Sequence, residues 1–431
     1  MKTILRAPLF VCWSVLGLLF LGTMINVHWI TPKLSTWESN WAFVILSPMF
    51  VIVPLILLVR DPNRRKSKNV FLRIVLGVGK TAGWLMAVPV FLFLVIVTGT
   101  KYGQLKIENA AGLNKQSAPV QAEQKEFIDV RGEIHVHSFL SWDSKGTFEE
   151  IAQAAKKNGI RWIILTDHIG QLPPGNYPDE VDNVLFIYGQ ERCHKIDGVD
   201  CGSDLRASLK DGERHLNLYG HIEKFRRSPN QQWERCDGIE LVSLHGNGRT
   251  YLGKLLAKLF WAPEEVYPDL TVATRENLTY WQKLAELEQR PIPIFAAPDA
   301  HQNMGILGVH LDPYGFIFKM ISTHIWIEKN EDLNQASIFR AIKLGRTYIA
   351  FDYLGDTTGF QFWAAENANC IRVELPRLTG KLKIFRDNTL IAEYQSAPSS
   401  VSVPMPLPGF WRVEVERDGK PWIVSGQILV K

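Results

Sequence analysis

The chain has 431 residues, 46% of them hydrophobic, and a formal net charge of +4. That length fits one to three domains, and so small a charge, with no Lys/Arg stripe interleaved with aromatics, argues against a nucleic-acid partner. The five cysteines form no C-x-x-C pair, which excludes a zinc ribbon and a thioredoxin motif.

Three apolar runs come first in chain order: Ala7 to Ile30, Trp41 to Val59 and Thr81 to Gly99. Each is long enough to cross a bilayer as a helix. A cleaved signal peptide is the other reading of the first run, but no small-x-small cleavage site is evident and two further runs follow. Lys2 and Arg6 precede the first run, and Arg60, Arg64, Arg65, Lys66, Lys68 and Arg73 follow the second. The positive-inside rule places these basic segments in the cytoplasm. The expectation is a multi-pass protein of the cytoplasmic (inner) membrane, with a three-helix membrane domain over residues 1–101 and everything later on the outer side.

Residues 102–127 lack apolar periodicity and read as a linker. From 128 to 356, strand-like runs recur at Glu133–Val136, Trp162–Leu165, Val184–Tyr188, His215–Tyr219, Gly238–Val242 and Ile292–Ala296. Helix-like runs such as Thr147–Lys157, Arg275–Glu288 and Asn334–Leu344 separate several of them, which predicts parallel α/β structure. Over 357–431 the pattern changes to short strands between turn-rich segments, among them Arg372–Leu375, Lys381–Arg386 and Trp411–Val415. That predicts a small antiparallel β-sandwich. Cys193, Cys201 and Cys236 cluster in the central region, where an oxidising compartment would allow a disulfide.

The chemistry concentrates at predicted strand ends. The first strand-like run leads into His135-Val136-His137, whose imidazoles share a face if the chain stays extended. Asp143 follows in a loop. Thr147 and Glu150 have capping-box spacing at the start of a helix. The second run ends in Asp167 and His168, the third in Gly189-Gln190-Glu191, and a late one in Asp299-Ala300-His301. A lone histidine is more often a packing residue than a ligand. Paired His at alternate positions, with carboxylates at neighbouring strand ends, point to metal. The set contains no thiolate; mixed imidazole and carboxylate donors suit Zn, Mn or Fe, and so many ligands allow two or more ions. No Walker loop or G-x-S-x-G elbow is present.

His135-x-His137, Thr166-Asp167-His168, Gly189-x-Glu191 and Asp299-x-His301, in this order, resemble the PHP (polymerase and histidinol phosphatase) superfamily of metal-dependent phosphoesterases. The resemblance covers the central region, about half the chain. It implies a distorted seven-stranded (β/α)7 barrel with two or three metals at the strand carboxyl ends. On the same basis, His135, His137, Asp143, His168, Glu191, Asp299 and His301 would be metal ligands. His215 resembles the histidine that follows the Glu motif, and Asp167 would orient a ligand imidazole. The His-Pro found in many members is absent, so that either His245 or His221 replaces it or one metal site is lost.

The function expected from these readings is a membrane-anchored phosphoesterase acting on a phosphorylated small molecule, an envelope polymer or a lipid head group. Amide or other ester hydrolysis at the same site is the alternative, as is a non-catalytic sensor or binding module.

Overall fold

The computed structural model describes residues 98–107, 127–169, 177–196, 199–209, 214–226, 236–244, 247, 265–303, 305–306, 309–310, 312–365, 370–377, 380–404 and 407–431. The chain divides into two compact units, residues 1–103 with 254–264 and residues 104–253 with 265–431, and the described strands all belong to the second.

The first strand, β1 (Phe127–Val136), carries two chemistries on its two faces. Val130 and Ile134 point into the apolar core, while Asp129, Arg131 and Glu133 fall on the other face by the two-residue period. Helix α1 (Phe148–Lys157) follows, with the Thr147/Glu150 capping box formed and Ile151, Ala154 and Ala155 buried. It leads to the fully buried β2 (Trp162–Asp167), parallel to β1. Gly132 makes this pairing possible: a Cβ there would lie 1.9 Å from the Trp162 ring.

Next come β3 (Val184–Ile196), β4 (Val199–Ser208) and β5 (His215–Gly220), then helix α2 (Ile222–Phe225) and β6 (Gly238–Ser243). Helices α3 (Val266–Leu270) and α4 (Arg275–Glu288) precede β7 (Ile294–Ala297). Helix α5 (Tyr314–Ile317), strand β8 (Ser322–Glu328), helix α6 (Gln335–Lys343) and strand β9 (Thr347–Ala350) complete this part. After them come β10 (Gln361–Ala365), β11 (Cys370–Glu374), β12 (Lys381–Arg386), β13 (Thr389–Tyr394), β14 (Ser400–Pro404), β15 (Gly409–Arg417), β16 (Lys420–Ser425) and β17 (Ile428–Val430).

One large mixed sheet runs β13-β12-β15-β16-β9-β8-β1-β2-β3-β4-β5-β6-β7. Its far edge returns to its middle: Val136 bridges Ala300, three residues past β7, and the His137 amide donates to the Ala300 carbonyl at 3.0 Å. Val130, Ile134, Trp162, Ile164, Leu218 and Phe295 belong to one continuous apolar core.

Three expectations are corrected by this architecture. The alternation of a (β/α)7 barrel is not what forms. Among the described residues strands predominate, and β3, β4 and β5 follow one another as antiparallel partners with no helix between them. The run Val199–Ser208 is too polar and glycine-containing to stand out as a strand, yet Ile196 and Val199 pair directly. Asp197-Gly198, a dipeptide suited to a two-residue hairpin turn, separates them.

The C-terminal strands do not stand apart either. β16 pairs with β9, matching Tyr348 to Ser425 and Ala350 to Ile423, so β12, β13, β15 and β16 continue the large sheet. β10, β11 and β14 form a separate antiparallel sheet.

The third correction concerns the membrane. Among the described residues no helix is long and apolar enough to cross a bilayer, so the multi-pass placement is not supported. The runs Ala7–Ile30 and Trp41–Val59, and Thr81–Gly99 up to residue 97, lie outside the described residues. Apolar length is necessary for a spanning helix, but it does not establish one.

Candidate metal centre

The site forms where the carboxyl ends of β1, β2, β5 and β7 meet the middle of β3 and β6. His135 would share a face with His137 in a regular strand, but β1 is not regular here. Its register to β2 shifts between Ile134 and Val136, and His135 has a φ of 70°. His221, directly after β5, and Asp299, just beyond β7, have φ values of 61° and 48°. Left-handed backbone at a non-glycine residue costs on the order of 1–3 kcal/mol, and it persists where surrounding structure enforces it. Here all three of these residues aim side chains into one cluster.

Seven of the sequence-predicted residues converge. His135 Nε2 lies 3.0 Å from Glu191 Oε2 and 3.4 Å from Asp299 Oδ1. His137 Nε2 lies 3.3 Å from each of the same two carboxylate oxygens. On the other side, Asp143 Oδ2 is 3.2 Å from His301 Nε2 and 3.5 Å from His168 Nε2. His137 and His301 stack with ring centroids 4.0 Å apart. Two groups of ligand atoms result, His135/His137/Glu191/Asp299 and His137/Asp143/His168/His301, each compact enough to hold an ion and both containing His137.

The backbone beneath these groups is tied together. Ser144 Oγ donates to the His301 carbonyl at 2.8 Å, and the Tyr314 hydroxyl donates to the His137 carbonyl at 2.7 Å. Ser141 Oγ donates to Asp143 Oδ1 at 2.7 Å and accepts from the His168 amide at 3.1 Å. His135 and His137 are wholly buried, whereas the side chains of His168 and Asp143 are each 17% exposed, so the cluster opens on that side. Trp142, 82% exposed, lies over His168 at that opening.

The remaining predicted residues go elsewhere. Asp167 touches no imidazole in the hydrogen-bond network. Its Oδ1 accepts from the Ser138 amide at 2.6 Å and its Oδ2 from the Ser138 hydroxyl at 2.8 Å, which fixes the loop leaving β1. His215 is the first residue of β5 and pairs with Ser208, roughly 20 Å along the strand from His221. His245 lies outside the described residues.

Sequence reasoning missed Glu240 and gave His221 only as a substitute. Glu240, wholly buried, places Oε2 2.7 Å from His135 Nδ1 and Oε1 3.4 Å from His221 Nδ1. His221 Nε2 in turn faces Glu191 Oε1 at 3.5 Å. The signal for Glu240 was present: a lone carboxylate inside the apolar strand Gly238–Ser243 must find a buried partner. The cysteine expectation also changes, because Cys193 and Cys236 are free thiols, one exposed and one buried.

Electrostatics follow from this crowding. Burial alone would push His137 down, but Asp299 and Glu191 more than reverse it and hold it at about 9. His221 is likewise depressed by burial and raised by Glu240 and Glu191, to about 10. Burial raises Glu240, and His221 and His135 outweigh that to bring it to about 2. Glu191 is held far below the usual carboxylate range, against its burial, by His135, His137 and His221. His137 Nε2 has no hydrogen-bond partner although it is buried. A nitrogen at the shared point of two ligand groups, aimed at carboxylates and lacking a hydrogen bond, fits a metal ligand, as does the imidazole and carboxylate donor set.

A comparison with curated proteins found no match to this chain. Residues 133–236 match the family model described as PHP domain, a span from β1 to the segment before β6 that leaves Glu240, Asp299 and His301 beyond it. PHP domains are typically those of metal-dependent hydrolases, and the buried His/Asp/Glu groups of this chain suit a hydrolase of that kind.

Proposed function

We propose that the protein is a metal-dependent phosphoesterase that uses water to cleave a phosphate ester of a small molecule. The observation that carries this reading is the pair of ligand groups sharing His137. Two adjacent cation sites suit a phosphoryl group, whose oxygens need charge compensation on both the attacking and leaving sides. Divalent ions held there would lower the pKa of a coordinated water and offset charge on the phosphoryl oxygens.

The chain's own residues supply the rest. His135, His137, Glu191 and Asp299 would hold one ion, and Asp143, His168 and His301 the other, since the His137 Nε2 lone pair serves a single ion. Glu240 accepts at His135 Nδ1 and faces His221 Nδ1 at 3.4 Å, with each Nε2 turned into the cluster. Asp167 holds Ser138, and through it the start of the loop that carries Asp143. Substrate enters on the side of His168 and Asp143, the exposed side of an otherwise buried cluster.

Hydrolysis of p-nitrophenyl phosphate and bis-p-nitrophenyl phosphate by protein loaded with Zn, Mn or Fe tests this reading. Release of p-nitrophenol from at least one of them, abolished by chelation, is expected. A metal-loaded protein inert on both, but active on an amide or carboxylic ester, would overturn it.

A further inference from the structure

Cys193 is a free, exposed thiol that no part of the reading above uses. It lies two residues after Glu191 on β3, and alternate strand positions share a face. The thiol therefore projects on the same side as the Glu191 carboxylate. Its sulfur, the His168 imidazole and Glu191 present ligand atoms that all lie within 4.8 Å of one another. His168 Nε2 is itself 3.4 Å from Glu191 Oε2. A second contact fixes the thiol: Cys193 pairs with Ser203 across the β3–β4 hairpin, and the Ser203 hydroxyl donates to its sulfur at 3.8 Å.

We propose that Cys193 supplies a thiolate ligand to the divalent ion that binds His168, with Glu191, at the solvent-facing edge of the site. The inference rests on the metal-centre reading and goes beyond it, because the sequence pattern implies a site of imidazole and carboxylate alone. A single imidazole Nε2 serves one ion, so the ion that takes His168 also takes the thiolate. Forming the metal–sulfur bond releases the thiol proton to solvent. Mixed sulfur, nitrogen and oxygen donors favour zinc, cobalt(II) and cadmium at this edge over magnesium or manganese. Among the described residues the buried group of His135, His137, Glu191 and Asp299 includes no sulfur and keeps the harder donor set.

Cobalt(II) titration of the reduced, metal-free full chain tests the proposal, with absorption as the readout. The wild type should show visible cobalt bands together with a near-ultraviolet sulfur-to-cobalt charge-transfer band. In Cys193→Ser the near-ultraviolet band should disappear while the visible bands remain. Cobalt bound without the charge-transfer band in the wild type, or a band that persists in Cys193→Ser, would overturn the thiolate ligand and leave the rest of the metal centre standing. A protein that binds no cobalt at all would remove both the thiolate ligand and the metal centre.

Discussion

Glu240→Gln probes how the cluster is held. The carboxylate lies between two imidazoles, 2.7 Å from His135 Nδ1 and 3.4 Å from His221 Nδ1. As an acceptor at His135 it keeps that ring's proton on Nδ1 and its Nε2 lone pair free for an ion, while Oε1 faces the His221 ring. Glutamine has nearly the same shape but one acceptor and one donor. Its amide must donate to one of the rings, which moves that ring's proton onto Nε2 and blocks it as a ligand. Loss of such an orienting partner typically costs 10–100-fold in metal affinity or activity, or about 1.4–2.7 kcal/mol. Competition of the metal-loaded protein with a chromophoric chelator measures the affinity, and circular dichroism checks that the variant folds. Wild-type affinity and hydrolysis in a folded Glu240→Gln would refute the orienting role.

Two further outcomes are expected. His221→Asn, which keeps a residue tolerant of the 61° φ, should lower bound metal, while His215→Ala at the far end of β5 should leave it unchanged; elemental analysis distinguishes them, and metal loss in His215→Ala alone would reverse the assignment. His324 should make stability fall as pH rises. Burial would lower its pKa, but Asp129 Oδ1 at 2.8 Å and Asp352 Oδ1 at 3.9 Å raise it to about 9, with the Tyr348 hydroxyl at 2.8 Å. A pKa raised above the unfolded value of about 6.5 contributes fully below that pH and is lost as pH climbs through about 9, at most about 3 kcal/mol. Urea unfolding of wild type and His324→Gln from pH 6 to 9.5 should show their stability difference shrinking with pH; a constant difference would contradict the linkage.

The ligands were legible because they sit beside strand ends that local pattern marks clearly. Trp162–Leu165 is a short apolar run, and His168 had to follow its end. The same local logic found α1, whose capping box forms as its spacing implies. What escaped was non-local. Val199–Ser208 becomes a strand because β3 and β5 flank it, and its own composition does not announce it. His215 and His221 stand at opposite ends of one short strand, and periodicity cannot say which end faces the cluster. Glu240 is a single letter in an apolar run, and its role appears only when β5 brings His221 alongside. The regular alternation that first paired His135 with His137 is absent, because the chain is bulged at His135 and both rings still reach the same two carboxylates.

The claim that this cluster is a metal centre serving hydrolysis is tested most directly by metal content per chain, measured on wild type and Asp299→Ala alongside phosphate-ester hydrolysis. Asp299 faces both His135 and His137, at 3.4 and 3.3 Å. The account predicts at least two divalent ions per wild-type chain, and in the folded variant the loss of at least one together with hydrolysis. Wild-type metal content and rate in Asp299→Ala, or a wild-type protein that takes up no divalent ion, would contradict it.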